Sequence, residues 1–495
     1  MTVPTDTRPT VDTWLAAHLS RNFIGGEWVA AHSGATFPNR NPARPAEVIA
    51  EVADSDIDDA LAAVEAARRA QAGWAGLGSI ERGKILFRAA EIMDRRKEEL
   101  AHVITSEQGK KLTEARSEVD RATEILRFIA GEGRRLSGST LPADEPRSMA
   151  LTWHRPLGVV ALITPWNFPL AIPVWKAAPA LLSGCTAVIK PSPLAPLSTA
   201  VMVEILAEAG VAPGAINLLQ GDREPGEALT SHPDVRGISF TGSLPVGLRI
   251  QSAAAHRLAR TQLELGGKNA VIVLADADLD AAASAIVHGA FGQAGQRCSA
   301  TSRVVVESSV REDLVSRIVD RVSDMVVGDP LSADTDLGPV VDESRLTACV
   351  EAVEGAIAIG ARVRAGGRPI SDPSGGHYMA PTVLTEVPAD SEIATEEVFG
   401  PVLSVIDAAD FDEAMEISNS VRYGMSGTIF TQDRANIFDA LERFEAGMLH
   451  VNRPGVGAWP HLPHMGAKLS QYGAPECSAE TWEFYTELRS ACIAF

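Results

Sequence analysis

From residue 158 onward the chain repeats one unit: a short apolar, β-branched run followed by a helical pattern. GVVALI (158–163), TAVIK (186–190), AINLLQ (215–220) and GISF (237–240) are such runs, with helical patterns between them, including 197–209. A second series begins near 264, with NAVIVL (269–274), a helix over 278–292, RVVVE (303–307) and a helix over 310–326. Strands apolar on both faces must be covered on both faces. The alternation therefore predicts an α/β fold of parallel sheets with helices on either side. Upstream, RNFIGGEWV (21–29) reads as two strands about a Gly-Gly turn. Asp54-Ser55-Asp56 caps a helix whose Ile57, Leu61 and Val64 fall on one face. Amphipathic helices follow near 80–105 and 112–131, and the turn-rich 136–156 reads as an extended hairpin arm. Residues 1–20 read as a polar tail and a short amphipathic piece.

At roughly 100–200 residues per domain, 495 residues suggest two to four domains. The formal net charge of −20 argues against nucleic acid, whose phosphates need a positive footprint. It also means that an anionic substrate needs a local cationic pocket. The cysteines are Cys185, Cys298, Cys349, Cys477 and Cys492, an odd number with no CxxC pair. That disfavours a disulfide framework or a zinc site and fits a reducing, cytoplasmic setting; no metal is expected. MTVPTDTRPTVDTW has no apolar core of a signal peptide, and no apolar run approaches the ~18 residues of a membrane span.

Four segments carry candidate chemistry. In GQAGQRCSATSR (292–303) a loop of small residues surrounds Cys298. A thiolate is a strong nucleophile once its site activates it, whereas Cys185 and Cys349 read as packing residues. In QLELGGKNAVIVL (262–274) Glu264 sits in an apolar strand, where burial raises a carboxyl toward the range of a general base. In ALITPWNFPLAIPVWK (161–176) Asn167, held between prolines, is placed to donate to an oxyanion. Lys190 ends a buried strand, where a cation reaches a ribose or phosphate. In SFTGSLPVGLRI (239–250) a strand runs through Gly242-Ser243 into a helix containing Gly247, a junction suited to a pyrophosphate. Taken singly, each has a plain structural reading: a packed thiol, an ion-paired strand-end carboxylate, a turn asparagine, a strand–helix turn.

Taken together they resemble the NAD(P)-dependent aldehyde dehydrogenase superfamily over nearly the whole chain. The matching pieces are PWNFP (165–169), KPS (190–192), FTGS (240–243), ELGGK (264–268), GQRC (295–298), EEVFGPV (396–402) and YGMSG (423–427). Glu264 also precedes Cys298 by the family's spacing of 34 residues. The resemblance implies a Rossmann-like cofactor domain (1–135 and 155–262) and an α/β catalytic domain (263–450). It also implies a substrate-entrance loop (451–474) and an oligomerisation arm (136–154 and 475–495) that pairs copies into a homodimer or homotetramer. The implied reaction is oxidation of an aldehyde to a carboxylic acid. Cys298 attacks, Asn167 and the Cys298 N–H hold the oxyanion, and a thioester is left that Glu264 hydrolyses through water. Lys190 joins this catalytic set. NAD or NADP would lie against Ile163, Thr164, Pro165, Trp166, Lys190, Ser192, Pro193, Gly221, Gly242, Ser243, Val246, Gly247, Leu265, Gly266, Glu397 and Phe399.

Some positions depart from the family pattern. Many NAD-preferring members carry Glu three residues after the lysine of KPS; Pro193 stands there, which admits NADP. PFGGxKxSGxGRExG appears as PHMGAKLSQYGAPECS (463–478), so the family's glutamate is Pro475, with Glu476 one residue on. That puts its role in water or proton movement in doubt. An inactive structural homologue is countered by retention of Cys298, Glu264 and Asn167, and an acylating, coenzyme A-dependent enzyme by Glu264. WHRPLGVVALITPWNFPLAIPVWK and HVNRPGVG look most like the branch acting on oxo-acid semialdehydes. The expected substrate is thus a short aldehyde with a far carboxylate met by Arg453, lined by Phe168, Trp175, Arg297, Ser299, Trp459 and His464. The alternative is an aromatic or apolar tunnel formed by Trp175, Trp459, His464 and Met465.

Overall fold

The computed structural model describes residues 19–457 and 459–495; the tail read over 1–20 lies, apart from Leu19 and Ser20, outside the described residues. Two large sheets carry the fold. The first runs through Glu27–Val29, Asn22–Ile24, Ile216–Leu218, Thr186–Lys190, Val159–Ile163, Val235–Thr241, Arg260–Glu264 and Gln471–Tyr472. Its five central strands are parallel. Val159–Ile163, Thr186–Lys190 and Ile216–Leu218 are buried at every residue, as double-sided covering requires. The second sheet runs through Arg362–Ala365, Thr382–Thr385, Val402–Ala408, Thr301–Glu307, Asn269–Val273, Ser426–Phe430 and Met448–Val451. Only its Arg362–Ala365 edge is antiparallel.

The strand order positions the site. From Val159–Ile163 the chain adds two strands on one side, then returns to lay Val235–Thr241 and Arg260–Glu264 on the other. The connections leaving Ile163 and Thr241 diverge, which opens a crevice beyond the carboxyl ends of those strands.

Three features differ from the sequence reading. The Ile57–Gly76 helix begins at Asp56, whose side chain accepts from the Asp58 and Asp59 N–H groups. Its buried face, however, is Ala60, Ala63, Val64, Ala67 and Trp74, while Ile57 and Leu61 are exposed. Small side chains let the helix approach the sheet closely, and closeness outweighs the bulk of the two larger residues. The single helix expected near 80–105 is two, Ser79–Arg95 and Lys97–Gln108, broken at Arg96. The arm forms from Thr140–Leu141 and Ser148–Pro156, with Thr486–Ala494 pairing along the latter. Residues 475–485 do not join it. Cys477, Trp482, Phe484 and Tyr485 turn into the core, where their apolar area is covered.

Gln471–Tyr472 closes the first sheet by pairing antiparallel with Leu263 and Glu264. The chain leaves it through Gly473, at φ +91°, where a Cβ would sit on the Thr261 carbonyl. Gly473→Ala combines a strained torsion with a backbone clash and is expected to cost roughly 2–3 kcal/mol. Urea unfolding measures it; a loss below about 0.5 kcal/mol contradicts the assignment.

Candidate active site

A cavity of about 720 Å³ opens where the end of the Arg260–Glu264 strand meets the loop before Thr301–Glu307. Glu264, Leu265, Cys298, Ser299, Phe168, Trp175, Arg297 and His464 all line it. Residues from four separate stretches of the sequence thus converge on one volume.

The loop carrying Cys298 is strained. Gln293 and Ala294 both have φ +53°, and Gly295 follows at +69°. Left-handed non-glycine residues cost about 1–3 kcal/mol each and persist only where neighbours hold them. Here the Gln293 N–H donates to Glu114 (2.9 Å), Gln296 Nε2 donates to the Gln293 carbonyl (3.2 Å), and the Val341 N–H donates to Gln296 Oε1 (3.0 Å). Asn269 Nδ2 donates to the carbonyls of Cys298 and Ala300, each at 2.8 Å, which fixes the backbone that carries the thiol. Asn167, buried at the start of the facing loop, donates from Nδ2 to the Gln296 carbonyl at 3.0 Å. An amide nitrogen carries two protons, so one fixes the group and the other stays available.

Glu264 is buried, and neither carboxyl oxygen has a hydrogen-bond partner among the described residues. Burial raises its pKa well above the ordinary carboxyl value, the neighbouring Glu476 charge raises it further, and Lys176 opposes both. Burial likewise pushes the Cys298 thiol up to about 12, with Glu264 and Glu397 adding to the effect.

Sequence reasoning missed how Glu264 is attended. Lys176 lies in the Ala171–Ser183 helix, every residue of which is buried. It forms an ion pair with Glu476 and donates to Ser239 Oγ at 2.8 Å. A lone lysine in an otherwise apolar helix was the available signal. Glu476 reaches the cavity because 464 and 476 bridge each other through both backbone hydrogen bonds, 2.8 and 3.0 Å. Cys477 and Ser478 then turn left-handed, at φ +59° and +56°. Glu476, one residue after Pro475, thus brings a carboxylate to the cavity. Also missed were Glu114, Ser117, Glu118 and Arg121, which line the cavity from the Leu112–Glu132 helix at i, i+3, i+4 and i+7. An amphipathic helix's polar face ordinarily meets solvent, so the pattern gave no warning.

Other expected residues fall outside the cavity. Arg453 is exposed and stacks on Trp459, its guanidinium carbon 4.5 Å from the ring centroid; neither lines the cavity. The tunnel of Trp175, Trp459, His464 and Met465 is not assembled: Trp175 and His464 meet, with ring centroids 4.7 Å apart, and only these two line the cavity. Lys190, placed in the catalytic set, does not line it either. Its Nζ donates to the Pro191 and Gly221 carbonyls, 2.8 Å each, and burial lowers its pKa to about 8.

A dinucleotide fits the crevice beside this cavity. Thr164 and Thr241 present buried hydroxyls without partners at the strand ends. The Leu244–Ala255 helix starts at exposed Ser243 with no side-chain cap on its N–H groups. Glu397 accepts the Gly267 N–H at 2.9 Å, and a Cβ on Gly266 would strike its carboxylate. Phe399, at φ +57°, meets Trp166 edge-on at 5.4 Å. Gly247 packs under Leu265, so its lack of a side chain serves helix–strand contact.

The aldehyde dehydrogenase family model matches residues 28–491. An alpha-ketoglutaric semialdehyde dehydrogenase of Bacillus subtilis (strain 168) is 39% identical, over 95% of this chain and 97% of its own. A 2,5-dioxopentanoate dehydrogenase of Saccharolobus solfataricus is 41% identical, over 93% and 97%. The solved betaine aldehyde dehydrogenase of Staphylococcus aureus in complex with NAD+ superposes with a TM-score of 0.95 at 32% identity, covering 98% of this chain and 97% of its own.

Glu476→Gln removes an anion that raises the Glu264 pKa and leaves Lys176, which lowers it. The acid limb of the kcat–pH profile is expected to move to lower pH. An unmoved or alkaline-shifted limb contradicts the coupling of the two carboxyls.

Proposed function

The chain belongs to the aldehyde dehydrogenase family, and from that premise we propose that it oxidises a short semialdehyde, with a carboxylate at its far end, to the dicarboxylic acid. The observation carrying this reading is cationic. In a chain of net charge −20, Arg121 lines the cavity, and its charge is felt by His464, Cys477 and Arg297. Guanidinium geometry suits a carboxylate. Arg121 lines the cavity and Arg453 does not, so Arg121 takes the role expected of Arg453. The semialdehyde dehydrogenases among the relatives support the same class.

Cys298 is the nucleophile. Its thiolate adds to the aldehyde carbon, and Asn167 Nδ2 with the Cys298 N–H receives the oxyanion, a contribution commonly worth about 3 kcal/mol per donor. Bound NAD(P) supplies the hydride acceptor. The thioester left on Cys298 is hydrolysed by water that gives its proton to Glu264. Glu264's raised pKa suits a general base that takes a proton from water. Lys176 favours the charged form of Glu264, and Glu476 opposes it.

The first sheet, with 1–135 and 155–262, serves as the cofactor unit, 263–450 as the catalytic unit, and 451–474 borders the entrance. The arm's exposed Leu141, Met149, Trp153, Leu488 and Ile493 pair copies into a homo-oligomer. A reducing cytoplasm suits a free catalytic thiol.

Arg121→Leu is expected to raise KM for succinate semialdehyde at least tenfold while leaving butanal within twofold; Arg453→Ala is expected to change neither. Equal losses for both aldehydes, or a wild-type preference for butanal or betaine aldehyde over every semialdehyde tried, overturn the substrate assignment.

Pro193 offers no carboxylate to a 2′-phosphate, so NADP is expected to serve within about tenfold of NAD, roughly 1.4 kcal/mol. Pro193→Glu is expected to lower kcat/KM for NADP at least tenfold more than for NAD. A wild-type preference for NAD above a hundredfold contradicts this reading.

A further inference from the structure

Two carboxylates one turn apart on the Leu112–Glu132 helix each grip one of the two loops that face each other across the cavity. Glu118 accepts the Leu170 and Ala171 N–H groups on one oxygen, each at 3.0 Å, at the start of the helix that follows Asn167. Its other oxygen takes Lys110 Nζ at 2.6 Å, and Lys110 also donates to the Asn167 carbonyl at 2.7 Å. Both side chains of this pair are fully buried. Lys110 lies 4.4 Å from the Phe168 ring centroid as well. Glu114, four residues earlier, accepts the Gln293 N–H at 2.9 Å and Arg297 Nη2 at 3.4 Å, and Arg297 Nε donates to Gln293 Oε1 at 3.2 Å. Glu118 and Lys110 therefore hold the oxyanion loop, and Glu114 with Arg297 holds the strained nucleophile loop.

A rigid helix fixes the separation of residues i and i+4 at about 6 Å. We propose that Glu114, Glu118 and Lys110 are positioning residues that use this spacing to set the distance between Asn167 and Cys298. The Asn167–Gln296 hydrogen bond links the loops directly. Alone, it leaves each loop free to tilt. The helix adds a second connection between them. This assignment rests on the proposed roles of Asn167 and Cys298.

The chemistry offers a test that plain destabilisation does not imitate. Addition of Cys298 to an aldehyde builds an oxyanion and needs Asn167; displacement of iodide from iodoacetamide builds none. Glu118→Gln, and Lys110→Met/Glu118→Gln should the single variant fold poorly, are to be compared with Glu114→Gln in the full chain. For the Glu118 variants, the pre-steady-state NAD(P)H burst is expected to slow at least tenfold. Alkylation of Cys298 by iodoacetamide, and KM for the cofactor, should stay within twofold. For Glu114→Gln both burst and alkylation are expected to change at least fivefold, because the nucleophile's own loop is released. Glu118→Asp should regain part of the lost burst rate. Equal effects on burst and alkylation in the Glu118 variants, or no effect on either, overturn the clamp. Retained turnover in Cys298→Ala overturns the proposed chemistry itself, and the assignment with it.

Discussion

Charge buried beside the reactive groups must be paired, and much of this site's architecture answers that requirement. A carboxylate or ammonium taken out of water without a partner costs several kcal/mol, and breaking such a pair from one side costs a comparable amount. Lys110 with Glu118 and Lys176 with Glu476 bring charge into the protein at almost no exposure. Each pair also reaches backbone or hydroxyl groups that would otherwise be unsatisfied. Glu264 stands apart, buried with neither oxygen bonded among the described residues. Burial and the Glu476 charge favour its protonated form, and Lys176 opposes them.

The large-scale fold was legible because it follows from composition along short windows. Runs such as VVALI and TAVIK are too apolar to face water on either side, and they became adjacent parallel strands. Glu264 and Cys298 were legible as residue types 34 residues apart and Asn167 as an amide between prolines, and all three meet at or beside one cavity. The errors have a common source. Ile57 and Leu61 have the hydrophobicity of core residues, but the sheet beside them requires the closer approach that Ala60, Ala63 and Ala67 allow. Arg453 lies in a loop placed by resemblance, while its side chain is claimed by a local aromatic neighbour, Trp459. Arg121 looked like an ordinary member of a polar helix face. Which face meets a cavity is decided by packing between segments far apart in the chain, and no window of the sequence contains that information.

The two sheets contribute unequally. The first supplies open strand ends, with Thr164, Thr241 and the uncapped start of the Leu244–Ala255 helix turned toward the crevice. The second supplies a constrained loop, with left-handed torsions at Gln293 and Ala294 held by hydrogen bonds from three directions. Openness suits binding a large, exchangeable molecule, and constraint suits presenting one sulfur atom.

The Gln471–Tyr472 strand and Glu476 come late in the chain, yet they complete the edge beside Glu264 and the pairing of Lys176. Chains emerge from the ribosome amino end first, and their domains assemble in that order. A nascent molecule that has already made the Cys298 loop therefore still holds Lys176 without its carboxylate and Glu264 beside an unpaired strand edge. Its thiol exists before the surroundings that govern it. For the length of that interval during synthesis, the growing polypeptide carries an exposed adhesive edge and an ungoverned sulfur together, which makes this the stage at which oxidation or aggregation would claim it.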